Sequence, residues 1–218
     1  TAADGRIAVP TPFPPAPTNT TAPTPAPSPT WTEIPPPPVV IPPDPSYPPD
    51  TATISDIVGF EQSLTLDCES RSAVDWAAYF GVNISEFEFV DALPRSDDPN
   101  KGFVGDPNGY PQQLPPYSYG VHAAPVARLL RSYGLPAEDL YGLDMDTLKA
   151  EIAAGQPVIV WVTVYTRRGY AVDYVTSDGE TVRVAPNEHT VIIIGYDPEG
   201  VMVLDGSEVY HRSWGLFQ

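Results

Sequence analysis

The order of elements predicts an α+β fold, with helices in the first half of a domain spanning residues 51–218 and an antiparallel sheet in the second. Three observations carry this expectation. Between Glu69 and Ala154 apolar residues recur at helical spacing, in segments stopped by Gly81, Gly134 and Gly155. From Pro157 onward the pattern changes to continuous β-branched runs: PVIVWVTVY, HTVIIIGY and VMVLD. Ser-Asp-Gly-Glu and Asp-Pro-Glu-Gly then supply turns short enough for antiparallel neighbours.

The domain follows an arm of different character. Residues 1–50 hold 18 of the 29 prolines, many Thr and Ala, and only five charges. Such a segment cannot build a core and is expected to run as polyproline II. At 3.1 Å per residue it would reach roughly 150 Å, against roughly 40 Å for the width of the domain. Two readings of the arm are open. It is a flexible, glycosylated stalk, or it docks on neighbouring copies of the chain. Phe13, Trp31, Ile34, Val39, Val40, Ile41 and Tyr47 favour docking. Asn19 and Asn83 each begin an N-glycosylation sequon. The chain begins at Thr1 rather than Met, from which we expect a secreted or cell-surface protein with its leader removed.

Within the domain, Ala73, Val74, Trp76, Ala77 and Phe80 place a buried helix after Cys68. Ser85 should cap a second helix over Glu86–Ala92. The polar stretch from Leu93 to Gly120 is too long for a connector and reads as a structured loop beside a cleft. VHAAPVARLLRSYG forms a third helix and Met145–Ala154 a fourth, capped by Asp144. The strand PVIVWVTVY follows. A hairpin then joins Tyr170–Thr176 to Thr181–Ala185. Next come HTVIIIGY, VMVLD and a last strand over Val209–Trp214.

Composition excludes several classes of function. The formal net charge is −17, which argues against nucleic acid and anionic membrane surfaces. No run of 18 apolar residues exists, so no membrane-spanning segment is expected. The single cysteine cannot form an internal disulfide. No Cys/His cluster has zinc spacing and no Gly-rich loop suggests a nucleotide, so neither a metal nor another cofactor is expected.

Chemistry concentrates on four residues. Cys68 falls at the first turn of its helix, where unpaired N–H groups and the dipole favour a thiolate. Gln62, six positions upstream, is close enough to offer an amide as oxyanion donor. His189 opens one strand and Asp205 closes the next, so pairing through the Asp-Pro-Glu-Gly turn puts both at one end of the sheet. There His189 can take the thiol proton and Asp205 can hold the imidazole tautomer. Cys68, His189 and Asp205 each also have an ordinary reading: a buried thiol, a strand-end imidazole and a turn aspartate. His122 reads as a helix-start residue, and His211 has no obvious partner.

Residues 54–218 resemble the bacteriocin-processing (double-glycine leader) cysteine peptidase-like family of the papain superfamily, in its free-standing branch. The matching pieces are QSLTLDCES, LPRSDDPNKGFVGD, YGVHAAP, GQPVIVWV and EHTVIIIGYD followed by VLD. The resemblance implies a papain-like fold with Cys68 as nucleophile, His189 as general base, Asp205 as its orienting acid and Gln62 in the oxyanion hole. Many members carry Gly after the nucleophile, where this chain has Glu69, and a carboxylate there raises the pKa of the thiol. Two functions follow. One is an extracellular subunit that assembles into a fibre or sheath, its arm docking on other copies; the sequence leans this way. The other is a secreted cysteine peptidase, tethered by the arm, acting on a peptide substrate.

Overall fold

The computed structural model describes residues 48–163, 166 and 169–217. The arm expected over residues 1–50 therefore lies outside the described residues except for its last three positions, as does the Asn19 sequon; Asn83 is exposed.

The helical segment begins at α1 (Cys68–Tyr79). Its end follows from Gly81, whose φ of 80° suits glycine. The Gly81 N–H bonds Ala78 O at 2.9 Å and the Val82 N–H bonds Ala77 O at 3.0 Å, which satisfies the last carbonyls of the helix. Ser85 caps α2 (Glu86–Ala92) by accepting from the Glu88 N–H. α3 runs over Ala123–Ser132 and α4 over Met145–Ala153. Asp144 caps α4 by accepting from the Thr147 N–H at 2.9 Å.

The strands are β1 (Ala52–Thr53), β2 (Val158–Thr163), β3 (Val172–Val175), β4 (Thr181–Val184), β5 (Glu188–Tyr196), β6 (Gly200–Asp205) and β7 (Glu208–Ser213). β7 runs into the short helix α5 (Trp214–Phe217). β5 organises the main sheet, and every pairing in that sheet is antiparallel. One edge of β5 takes β2 and then β1; the other takes β6, which pairs with β7. The hairpin β3–β4 forms a separate two-stranded sheet.

Residues 93–120 form the structured loop that their length suggested. Val104 and Tyr119 pack on Val182 and Val184 of the hairpin. Lys101 Nζ reaches Asp178 at 2.6 Å and the Ser177 N–H donates to Asp97 at 2.6 Å. Apolar burial falls mainly into two clusters. One joins α1, α2 and α3 through Ala73, Val74, Phe89 and Leu130. The other joins the sheet to α4 through Val191, Ile193, Leu148 and Ile152. Trp76 and Ile159 touch both clusters, and the Trp76 indole N–H donates to Pro157 O at 2.7 Å. α1 is thereby seated on β5, with its N-terminus at the end of the sheet where β5 begins. Among the described residues no helix is long and apolar enough to cross a membrane.

Candidate active site

Cys68 is the first residue of α1, as its spacing from the apolar positions predicts. Ser72, one turn further on, lies 3.2 Å from the Thr190 hydroxyl, which fixes this part of the helix against β5. Residues two apart on a strand share a face. Glu188 and Thr190 therefore share the face that meets α1, and His189 between them belongs to the opposite face, where Asp205 of β6 also lies. There His189 Nε2 meets Asp205 Oδ1 at 2.7 Å, and the Tyr210 hydroxyl donates to Asp205 Oδ2 at 3.1 Å. Burial raises the Asp205 pKa, but the hydrogen bond and charge of His189 and the Tyr210 hydroxyl outweigh it and leave the carboxyl below its ordinary value. With Nε2 engaged by Asp205, Nδ1 is the nitrogen left to accept a proton.

The thiol has its own surroundings. Cys68 Sγ donates to Glu69 Oε2 at 3.4 Å. Among the described residues no hydrogen bond joins it to His189. Glu69 is only 1% exposed, and its Oε1 accepts from the Val121 N–H at 2.6 Å. Burial pushes Glu69 up to about 7, against the lowering effect of the Val121 N–H. Glu188, also close to Glu69, is raised well above its ordinary value by burial and then by the Glu69 charge. The thiol is raised in turn, first by burial and then by Glu69 and Glu188, against hydrogen bonding from Thr190. The carboxylate that follows Cys68 thus acts on the thiol in the expected direction, and a second carboxylate adds to it.

Gln62 lies in the turn before α1. Its amide N–H groups donate to Leu64 O at 2.8 Å and Thr65 O at 3.0 Å, so in this conformation they brace the turn. His122 sits immediately before α3, as expected, and bridges Asn100 at 2.8 Å and the Tyr119 hydroxyl at 3.3 Å. Burial pushes His122 down to about 4. His211 does have a partner: Asp197 lies 3.2 Å from its Nε2. The β6–β7 pairing brings the two together across a turn, which a linear reading of the last strand does not reveal.

The sequence reading missed Glu188 and Thr190. Both lie within the quoted EHTVIIIGYD segment, and the two-residue period of a strand marks them as neighbours on one face. Their closeness to Cys68 depends on how α1 seats on β5.

The sequence profile of the Peptidase C39-like family matches residues 54–213. The chain belongs to that family. The C39-like domain is similar to the uncharacterized protein YvpB of Bacillus subtilis (strain 168), with 32% identity over 110 residues, covering 50% of this chain and 41% of that protein. The match thus spans about two fifths of the curated relative's length. A crystal structure from Bacillus anthracis, assigned as that of a C39-like peptidase, superposes with a TM-score of 0.67 at 24% identity. It covers 77% of this chain and 90% of the other. That similarity establishes the fold: helices packed on a curled antiparallel sheet, the papain-like arrangement.

Proposed function

We propose that the C39-like domain is a thiol-dependent peptidase of the papain type, with Cys68 as nucleophile, His189 as base and Asp205 as the acid that orients it. The observation that carries this reading is the 2.7 Å contact between His189 Nε2 and Asp205, at the end of the sheet where the Cys68 helix begins. A proton held between Nε2 and Asp205 keeps a lone pair on Nδ1. Once the thiol leaves Glu69 and comes within reach of His189, that nitrogen takes its proton and the sulfur attacks a peptide carbonyl. The N–H groups of the first turn of α1 stabilise the oxyanion. Gln62 joins them once its amide leaves the Leu64 and Thr65 carbonyls.

In the resting arrangement the thiol is protonated and held by Glu69. Catalysis therefore requires its proton to move to His189 rather than stay beside a carboxylate. The test is labelling by a thiol-directed peptide probe, which is unambiguous because the chain has one cysteine. Labelling is expected in the wild type, absent in Cys68→Ala and reduced at least roughly a hundredfold in His189→Ala. A thiol that stays unlabelled from pH 6 to pH 9 would end the reading.

A second reading concerns the arm and is compatible with the first. Its support is composition: 18 prolines and a scatter of large apolar residues within 50 positions. The arm then joins copies of the chain into an extracellular assembly, which need not close into a ring. Sedimentation of the full chain against a chain lacking residues 1–50 checks it. Polymer only with the arm supports it; a full chain that stays monomeric at high concentration rejects it.

A further inference from the structure

We propose that Cys68, Glu69 and Glu188 together form a binding site for one divalent metal ion of the zinc class. The thiol and one oxygen from each carboxylate all lie within 4.8 Å of one another. The Cys68 Sγ to Glu69 Oε2 distance is 3.4 Å, close to the roughly 3.5 Å that separates a sulfur and an oxygen on a tetrahedral zinc. A modest closure of the third group completes three sides of such a site and leaves a fourth position open.

An independent observation points the same way. Glu188 Oε1 is sealed from solvent and has no hydrogen-bond partner among the described residues. Buried carboxylate oxygens are nearly always paired, so this one faces a place where a partner belongs. No lysine or arginine of the described residues pairs with Glu69 or Glu188; the nearby Arg71 is turned to Asp75 and Glu86. The backbone makes room for the carboxylates. Gly120 has a φ of 120°, and a Cβ there would strike Glu69 Oε1 and meet Glu188 Oε2 at 3.4 Å. One soft sulfur with two hard oxygens suits zinc, cobalt or cadmium and not calcium or magnesium, which take oxygen throughout. Binding displaces the protons of the thiol and carboxyls into solvent, and the metal then holds the sulfur as thiolate. A thiolate held this way cannot attack a carbonyl, so an occupied site silences Cys68. The inference does not rest on Cys68 being catalytic.

The experiment uses the full chain after chelation, titrated with cobalt and then zinc. One cobalt per chain with a thiolate-to-metal charge-transfer band is expected, and the band is lost in Cys68→Ser. Zinc should slow alkylation of Cys68 by iodoacetamide at least roughly tenfold, with recovery on adding chelator. Glu188→Gln should abolish that protection while leaving the far-ultraviolet circular dichroism unchanged; Glu69→Gln is the second variant for the same measurement. Equal protection in a folded Glu188→Gln or Glu69→Gln chain overturns the site, because the substituted carboxylate would then not be a ligand. If neither variant folds, the wild-type cobalt spectrum decides, and absence of the thiolate band overturns the proposal. Failure of the peptide-probe labelling with metal binding intact would remove the peptidase reading and leave this one standing.

Discussion

Along the first turns of α1, Asp75 and Glu86 gather around Arg71, while Glu69 and Glu188 gather around the Cys68 thiol. The first group carries its own cation. Arg71 meets Asp75 at 2.5 Å and Glu86 at 3.0 Å, while Glu86 also accepts from the Ser63 N–H at 2.8 Å and its hydroxyl at 2.6 Å. Asp75 further accepts from the Phe60 N–H at 3.0 Å. That network ties the approach to α1 and the start of α2 to the helix itself. The second group has no lysine or arginine partner among the described residues and meets the cost of burial by holding protons. Buried acids with a cation are explained by architecture. Buried acids without one, packed on a thiol, are the arrangement on which the proposed chemistry rests.

Removing the cation from the first group should have the largest effect. Arg71→Met strands two nearly buried carboxylates and is expected to cost about 3–5 kcal/mol, read as a lower urea midpoint. No change would mean that the two groups are alike after all.

Next comes the pH dependence of the second group. Glu69 is raised from an ordinary value of 4.5 to about 7, so in that window the folded chain holds a proton that the unfolded chain has released. Its contribution is full below about pH 4.5 and is lost as the pH rises through about 7. In metal-free protein the loss amounts to up to roughly 3 kcal/mol. Glu69→Gln should remove that part of the decline and speed alkylation of Cys68 at pH 7, since one source of the raised thiol pKa disappears. A decline of unchanged slope would show that Glu69 is not its cause.

Gly120→Ala should cost about 2 kcal/mol, from a Cβ at positive φ and from displacing Glu69 off the Val121 N–H. Its thermal midpoint should fall less when the side chain at position 69 is already shortened, as in Glu69→Ser, because the oxygen that the new Cβ strikes is then absent. The smallest change is expected at Asp67, which burial and then the neighbouring Glu86 push up to about 7. Asp67→Asn should lie within about 1 kcal/mol of wild type at pH 5 and become the more stable chain above pH 7, where Asp67 would be charged.

Local chemistry made much of this fold legible. The Gly81 stop, the Ser85 and Asp144 caps and the β-branched run of β5 are decided within a few residues, so sequence places them closely. The pairing of His189 with Asp205 was legible because a short turn joins their strands. Glu188 beside Glu69 was not, because their contact joins elements more than a hundred positions apart. His211 with Asp197 was missed for a similar reason, since register across β6 and β7 sets it. Gln62 shows a further limit: sequence places an amide near the thiol but does not tell which carbonyls it will prefer.

The Trp76 indole, held on Pro157 and touching both apolar clusters, lies eight residues along α1 from Cys68. Eight residues of helix measure about 12 Å. Pivoting α1 about that indole by about five degrees would carry the sulfur sideways by about 1 Å, a displacement large enough to change a reaction rate by orders of magnitude. The aim of the thiol is thus set from deep inside the molecule, and substitutions that repack the neighbours of Trp76 would detune the rim without touching any residue there.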